Sequence, residues 1–172
     1  MSDGGAPEGV LGETTGTLEL DQRDQVAALC LTLAQQARRT LDIVSRHLDP
    51  ALYDNDAFAT AIKDLVLGSR YARVRLFIVD SRPLVPQGHR LLELASRLSS
   101  FIHIRAPAAQ HKNFNEALLI ADNLGYVHRQ FSDRFEATGS FADRRRALAL
   151  CDRVDELWER AQPDTNFRRL HL

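Results

Sequence analysis

Val74-Arg75-Leu76-Phe77-Ile78-Val79-Asp80 is the segment of this sequence that most strongly favours a β-strand. Its apolar run is nearly continuous, which is typical of a strand buried on both faces of a sheet. A second segment, Leu41-Asp42-Ile43-Val44-Ser45, is rich in β-branched residues and predicts another strand. These two segments set the frame of the fold, because the chain between them reads as a helix.

Helical patterns separate the predicted strands, because apolar residues recur there at steps of three and four. Four segments show this period: residues 21–40, 55–67, 89–99 and 141–161. Short strands are predicted at 101–105, 117–121 and 126–129, and the last two form a hairpin over an Asp-Asn-Leu-Gly turn. Strands that alternate with helices predict an α/β fold with a mixed, mostly parallel sheet and helices on both faces.

The 172 residues, 44% of them hydrophobic and 26% charged, suit one domain with a substantial core. Residues 1–20 are rich in Gly, Thr and acids and predict a flexible tail, residues 21–162 form the domain, and 163–172 form a polar tail. The N-terminus has neither a basic start nor an apolar core, so no signal peptide is predicted. No apolar run reaches the roughly 20 residues that span a bilayer, so we expect a cytoplasmic protein without membrane contact.

The net charge of −1 argues against nucleic acid as a partner. Cys30 and Cys151 lie on apolar helical faces and are expected to be buried and unpaired. Near the start of the last helix, Arg144-Arg145-Arg146 forms a small basic cluster. Together with Arg134, Arg153 and Arg160 this cluster is a candidate contact for an acidic partner or nucleic acid. Acids alternate with the arginines along that helix, so the pattern favours a solvated face with salt bridges instead.

The order of the segments carries a resemblance. Ala37-Arg38-Arg39-Thr40 leads into the first strand, a helix leads into the strand at 74–80, and residues 152–161 close the chain as a charged helix with Trp158. In this order, residues 26–161 resemble one catalytic half of the phospholipase D superfamily. The resemblance implies a signature, His-x-Lys-x4-Asp, on a strand that runs into a hairpin.

The signature is incomplete in this chain. Asp122 matches its aspartate in context, but Asn115 stands in place of the histidine and Ala117 in place of the lysine. The family's chemistry needs a histidine nucleophile and a lysine that stabilises phosphoryl oxygens. Arg129-Gln130-Phe131-Ser132 replaces the Gly-Ser-x-Asn of active members. The resemblance therefore implies a non-catalytic domain with a binding, regulatory or assembly role, with a protein partner or as a homodimer.

Two other functions stay open. His111-Lys112 supplies the residue types of a divergent phosphodiesterase or nuclease, although neighbours in a strand point to opposite faces, so this pair needs an irregular loop. His47 and His103 form a second pair of that kind. The third function is an accessory protein associated with an acetyltransferase, since small bacterial domains of this type are linked to such enzymes. The chain lacks the acyl-CoA pyrophosphate loop, which disfavours an acetyltransferase itself.

Polar residues near strand ends are ligand candidates, because α/β sheets bind ligands at the carboxyl ends of their strands. The candidates are His47, Arg82, His103, Arg105, Asn115 and Asp122. The six histidines lack the His-x3-His spacing of a helical site, and no cysteine pair accompanies them, so no metal is expected. No glycine-rich phosphate loop occurs, and no cofactor is expected.

Overall fold

The strand predicted at residues 74–80 is an inner strand of an eight-stranded sheet in the computed structural model, which describes residues 5–167. The strands are β1 (Leu18–Leu20), β2 (Thr40–Ser45), β3 (Arg73–Ile78), β4 (Ile102–Ala106), β5 (Ala117–Ala121), β6 (Gly125–Arg129), β7 (Ala137–Ser140) and β8 (Gln162–Pro163). The helices are α1 (Arg23–Gln36), α2 (Pro50–Tyr53), α3 (Asp56–Gly68), α4 (Leu84–Gln87), α5 (Arg90–Arg97) and α6 (Arg144–Arg160). A 3-10 turn, Ala109–His111, precedes β5.

The strand order in the sheet is β1-β7-β6-β5-β2-β3-β4-β8. β2 pairs with β3 and β3 with β4 in parallel, whereas the five other pairings are antiparallel. The prediction of an α/β fold with a mixed sheet is confirmed. The expected majority of parallel pairs is wrong, because the β5–β6 hairpin continues antiparallel into β7 and β1, and β8 adds a further antiparallel edge.

Helices cover both faces of the sheet. α1, α3 and α5 bury a core that contains Leu29, Phe58 and Leu76 on one face. α6 buries a smaller core with Phe77 and Leu118 on the other. Consecutive strand residues such as Leu76 and Phe77 therefore belong to different cores, as the two-residue period of a strand requires. Within residues 5–167, no helix combines the length and apolarity needed to cross a membrane.

A buried ion cluster joins α6 to the sheet. The guanidinium of Arg75 donates to both carboxylate oxygens of Asp42, at 2.7 and 2.9 Å, and to Asp155 at 2.7 Å. Arg75 and Asp42 are 5% and 1% exposed. Charges this deeply buried need partners, since an unpaired one costs several kcal/mol, about 3 or more. The cluster therefore fixes α6 across β2 and β3.

Both expected tails differ from the structure where it describes them. The side chain of Gln36 bonds the backbone of Gly9 and Leu11, and β1 pairs with β7. At the other end, β8 pairs with β4 and Phe167 is buried. The ordered part therefore extends beyond 21–162 on both sides. Residues 1–4 and 168–172 of the expected tails lie outside the described part of the chain.

Candidate functional site

One edge of the sheet carries most of the predicted site residues. We call it the loop edge, where β2, β3, β4 and β6 end and where β5 and β7 begin. Asn115 lies exposed just before β5, and its side-chain oxygen accepts a hydrogen bond from the Ser132 hydroxyl at 2.6 Å. The backbone carbonyl of Asn115 accepts from the Ser132 N–H at 2.7 Å. The segment after β6 is thereby tied to the start of β5.

Ala117, at the position of the signature lysine, lies directly across from Arg129 in the β5–β6 ladder. Residues paired across strands extend to the same face of a sheet. The Arg129 guanidinium is nevertheless turned inward: it donates to Asp49 Oδ2 at 2.6 Å, and to the carbonyls of Ser132 and Arg134 at 2.6 and 2.8 Å. Arg129 is 3% exposed, so this positive charge is consumed by internal partners.

Cys30 and Tyr53 are buried close to each other and to the Arg129–Asp49 pair, whose charges act on both side chains. Burial raises the pKa of the Cys30 thiol to about 12 and raises the pKa of Tyr53 well above its ordinary value. Only a thiolate is a strong nucleophile. Cys30 is therefore a buried structural thiol at neutral pH.

His47 and Arg82 lie together at the loop edge, joined through Asp80. The Nδ1 atom of His47 is 2.9 Å from the Asp80 carbonyl oxygen, which assigns the Nδ1 proton to this contact. The Arg82 guanidinium donates to both Asp80 carboxylate oxygens, at 2.8 and 2.9 Å. These hydrogen bonds lower the pKa of Asp80 to about 2. Asp80 is therefore ionised at neutral pH, and Arg82 is partly neutralised.

His111 and Lys112 lie in the connection between β4 and β5 but in different surroundings. The Nδ1 atom of His111 is buried and has no hydrogen-bond partner in the described part of the chain. Lys112, the next residue, is exposed. The structure brings this segment to the loop edge, with one side chain directed inward and the other toward solvent.

The candidates on β4 lie apart from the others. His103 is opposite Arg75 near the start of β4, while His47 follows the end of β2, so these two histidines do not meet. Partial burial, then the charges of Arg105 and Arg73, lower the pKa of His103. Arg105 donates to the Trp158 carbonyl at 2.8 Å and stacks 4.6 Å above the indole ring.

Asp122 lies at the opposite edge of the sheet, in the turn between β5 and β6. Its φ of 53° is in the left-handed region, which aspartate tolerates better than most residues. The carboxylate accepts backbone N–H groups from Arg38, Arg39 and Thr40 at 2.8, 2.8 and 2.9 Å. Asp122 thus anchors the start of β2, seven residues and about 24 Å from Asn115 at the strand rise of roughly 3.4 Å per residue.

Arginines that the sequence patterns did not group together surround Asp122. We call this surface the arginine edge; it is formed by the segments in which β2, β3, β4 and α6 begin and β5 ends. Its arginines are Arg38, Arg39, Arg70, Arg73, Arg97, Arg144 and Arg145. Within residues 5–167, none of them forms a salt bridge.

The salt bridges predicted for Arg144, Arg145 and Arg146 are wrong, because within residues 5–167 none of the three forms one. Asp143 caps α6 by accepting the backbone N–H of Arg146 at 3.0 Å. Asp155 pairs with Arg75 beneath the helix instead of with an arginine on its surface. The Arg146 side chain points to His128, with its Nη2 3.3 Å from the imidazole Nδ1. Helical spacing alone does not show that Asp155 lies on the side of α6 that faces the sheet.

Solved structures similar to this chain share its fold. TrmBL2, an archaeal chromatin protein whose structure shows a novel mode of DNA binding, matches with a TM-score of 0.64 and 13% identity. Nuc of Salmonella typhimurium, a phospholipase D family member, matches with a TM-score of 0.59 and 15% identity, and NucT of Helicobacter pylori with 0.55 and 12%. The match to TrmBL2 covers 87% of this chain and 54% of the TrmBL2 chain, so this chain spans about half of TrmBL2. The match to Nuc covers 86% of this chain and 96% of Nuc, and the match to NucT covers 87% and 98%.

The phospholipase D-like fold expected from the segment order is confirmed by these neighbours. The expectation that the net charge argues against nucleic acid is wrong, because the same fold occurs in a chromatin protein that binds DNA. No curated protein matches the sequence. A family model matches residues 22–170. The chain, with its phospholipase D-like fold, therefore belongs to the family described as Domain of unknown function (DUF7931).

Proposed function

We propose that this protein is a non-catalytic phospholipase D-like domain that binds nucleic acid without cleaving it. The observation that carries the proposal is the pairing of Ala117 with an inward-turned Arg129. At the position matched by Ala117, the phospholipase D superfamily has a lysine that stabilises phosphoryl oxygens. In this chain the nearby guanidinium of Arg129 is occupied by Asp49 and two backbone carbonyls.

A nucleophile is also missing at the start of β5. The amide of Asn115 is a poor nucleophile, and its oxygen already accepts the Ser132 hydroxyl. The nearby His47 donates Nδ1–H to a backbone carbonyl, which leaves Nε2 unprotonated, but the neighbouring cation, Arg82, is paired with Asp80 and is not free to bind a phosphoryl oxygen. These contacts favour a site that does not carry out phosphoryl transfer.

Nucleic acid is the proposed ligand on two grounds. The fold is shared with TrmBL2, whose structure describes DNA binding. In addition, electrostatic attraction to phosphates depends on the local distribution of charge, so a chain with a net charge of −1 can still present a basic surface.

The proposal is tested with fluorescein-labelled 20-nucleotide DNA and RNA, single- and double-stranded, by fluorescence anisotropy at two salt concentrations. The same samples are run on denaturing gels, and bis(4-nitrophenyl) phosphate serves as a generic phosphodiester substrate. We expect salt-dependent binding and intact oligonucleotides. Absence of binding to every oligonucleotide would contradict the proposal, and so would cleavage.

A second candidate is the divergent phosphodiesterase, favoured by the buried, unpartnered Nδ1 of His111 in the described structure. A substrate phosphate or a bound water could satisfy that nitrogen. Hydrolysis that is abolished in His111→Gln but retained in Asn113→Ala, an exposed residue of the same loop, would establish this function in place of the first. We expect both variants and the wild type to be equally inactive.

A further inference from the structure

The sheet has two ends, and within residues 5–167 the end opposite Asn115 and Ala117 carries seven arginines that form no salt bridge. Five segments build the arginine edge: residues 37–40, 69–73, 97–101, 122–124 and 141–145. A chain of backbone hydrogen bonds holds them side by side. Val74 N–H donates to Phe101, Arg73 N–H donates to Arg39, and Asp143 N–H donates to Leu124, at 2.8, 2.9 and 3.0 Å.

The acids in these five segments are Asp122 and Asp143, and both are engaged. Residues 9–14 pack beside Phe141 and Leu124 at the same edge and add one exposed acid, Glu13. Asp122 accepts three backbone N–H groups, and Asp143 accepts one at the N-terminus of α6. The C-termini of α1, α3 and α5 also point to this edge, each with the equivalent of about −0.5 charge. Seven arginines exceed these negative contributions, so the edge is locally positive.

The cations of the arginine edge are all arginines, and they are accompanied by an aromatic side chain. A guanidinium binds phosphate oxygens in a planar, bidentate fashion and is weakly hydrated, which suits it to phosphodiester backbones. Tyr71 is 74% exposed, and the guanidinium of Arg70 lies 4.8 Å from its ring centroid. Exposed aromatic rings among basic residues are stacking platforms for unpaired bases.

A groove continues from this edge along β4. It is a cleft of about 440 Å³ whose lining includes Arg73, His103, Arg105 and Trp158. Its one acidic lining residue in the described chain, Asp164, is 6% exposed.

Across the four strands β5, β2, β3 and β4, the arginine edge is about 14 Å wide at roughly 4.8 Å per strand. A base-stacked strand, at the duplex rise of roughly 3.4 Å per nucleotide, would place about four phosphates along that width.

We propose that the arginine edge binds the phosphodiester backbone of single-stranded nucleic acid, with Tyr71 stacking on an unpaired base. The inference rests on the proposed nucleic-acid binding and locates it away from the loop edge. The proposed contact surface thus lies at the opposite end of the sheet from Asn115 and Ala117, and of the residues matched to the signature it includes only Asp122.

The test compares two fourfold variants that change the net charge equally. The edge variant is Arg38→Gln/Arg39→Gln/Arg144→Gln/Arg145→Gln, and the control is Arg23→Gln/Arg82→Gln/Arg90→Gln/Arg153→Gln. With a labelled 20-nucleotide single strand, we expect the edge variant to bind at least about tenfold more weakly at low salt. Its slope of log affinity against log salt should become shallower by about 3, at roughly 0.7 per lost phosphate contact. The control should change by less than about threefold.

The outcomes separate this inference from the proposed function. If the wild type binds no oligonucleotide, both fail. If the wild type binds and the edge variant binds equally well, or both variants weaken binding alike, the proposed function stands and the arginine edge is overturned as its location. Equal binding to phosphatidylglycerol vesicles, with the same dependence on the edge arginines, would overturn nucleic acid as the occupant.

Tyr71→Leu tests the stacking contact. We expect affinity for the single strand to fall about tenfold, a typical loss for one stacked base, while affinity for a duplex of the same length stays unchanged. Circular dichroism and the urea midpoint verify folding, since Tyr71 is mostly exposed and contributes little to the core. Equal losses for the single strand and the duplex, or no loss at all, would overturn this part of the inference.

Discussion

At the loop edge Arg82, Arg129 and Arg153 each meet a carboxylate, whereas at the arginine edge Arg38, Arg39 and Arg144 meet none within residues 5–167. The difference arises because the carboxylates at the two edges have different hydrogen-bond partners. At the loop edge Asp49, Asp80 and Glu116 face arginines, while at the other edge Asp122 and Asp143 face backbone N–H groups. Carboxylates that stabilise turns and helix ends leave nearby arginines free, which makes the arginine edge positive. At the loop edge three arginines are paired with carboxylates, while Arg46, Lys112 and Arg134 form no salt bridge within residues 5–167.

The largest expected effect is on the buried pair of the loop edge. Asp49→Ala leaves the guanidinium of Arg129 buried without its carboxylate. We expect a loss of about 3 kcal/mol in the free energy of unfolding. This value is at the low end for a broken buried pair, because Asp49 is partly exposed. Urea unfolding at neutral pH measures it. The matched control is Asp80→Ala, whose partner Arg82 is largely exposed and should tolerate the loss with little change. Equal effects of the two substitutions would contradict the contrast between buried and exposed pairs.

The next effect concerns the anchor of the arginine edge. Asp122→Asn keeps a residue that tolerates the left-handed turn, but it places an NH2 group against one of three backbone N–H donors. We expect a loss of about 2 kcal/mol in urea unfolding, within the range for hydrogen bonds to charged groups. Asp143→Asn is the control on the same edge, because asparagine caps helices as well as aspartate does. A neutral Asp122→Asn would show that the carboxylate does not fix this edge.

A smaller effect is the pH dependence that His89, at the loop edge, contributes to the free energy of unfolding. His89 caps α5 at the loop edge: its Nδ1 accepts the Leu91 N–H, and its Nε2 contacts the Leu48 carbonyl. Burial, more than any other cause, lowers the pKa of His89 below its ordinary value. The unfolded chain then binds the proton more readily, so stability is retained above pH 6.5, roughly the unfolded pKa, and is lost as the pH falls below it.

The variant His89→Gln should therefore lose less stability than the wild type between pH 7.5 and pH 5.5, as measured by urea midpoints. Glutamine can both accept from Leu91 and donate to Leu48 without titrating. The exposed His103→Gln serves as the control and should keep more of the wild-type pH dependence. If His89→Gln and the wild type show the same pH dependence, His89 does not couple the loop edge to protonation.

The smallest expected effect is the stability of the fourfold edge variant. Because its four arginines form no salt bridge with the described residues, their replacement should change the free energy of unfolding by no more than about 0.5 kcal/mol. A slight gain at low salt that disappears at high salt would reflect relief of repulsion between like charges. A loss of several kcal/mol would show that these arginines hold the fold together and are not a free surface.

The fold was predictable where one strand buries both of its faces. β3 and β5 have long apolar runs, and the helices between strands show a clear period, so the α/β arrangement follows from local pattern. β7 was not predicted, because Gly139 interrupts it: a Cβ there would lie 2.6 Å from the side chain of Leu29 on α1. A close helix–strand approach of this kind requires glycine, and its partner is distant in sequence.

The candidate site was predictable only in part. The resemblance matched Asn115 and Ala117 to the histidine and lysine of the signature, which remains a prediction, and His47, Arg82 and Asn115 do share one edge. The inward turn of Arg129 depends on Asp49, 80 residues away in the chain. The arginine edge could not be predicted, because it is assembled from five segments and because its acids are withdrawn by backbone contacts that no local pattern records.

The short outermost strands have a consequence for solubility. An exposed edge strand offers unpaired backbone groups to other chains and promotes aggregation, and very short strands limit that hazard. β1 and β8, at the two sides of this eight-stranded sheet, have three and two residues. The long inner strands are therefore shielded by brief, easily detached ones. Because β8 covers only Arg105 and Ala106 of β4, its detachment would leave the whole length of β4 without a strand neighbour on that side, open to pairing with another chain.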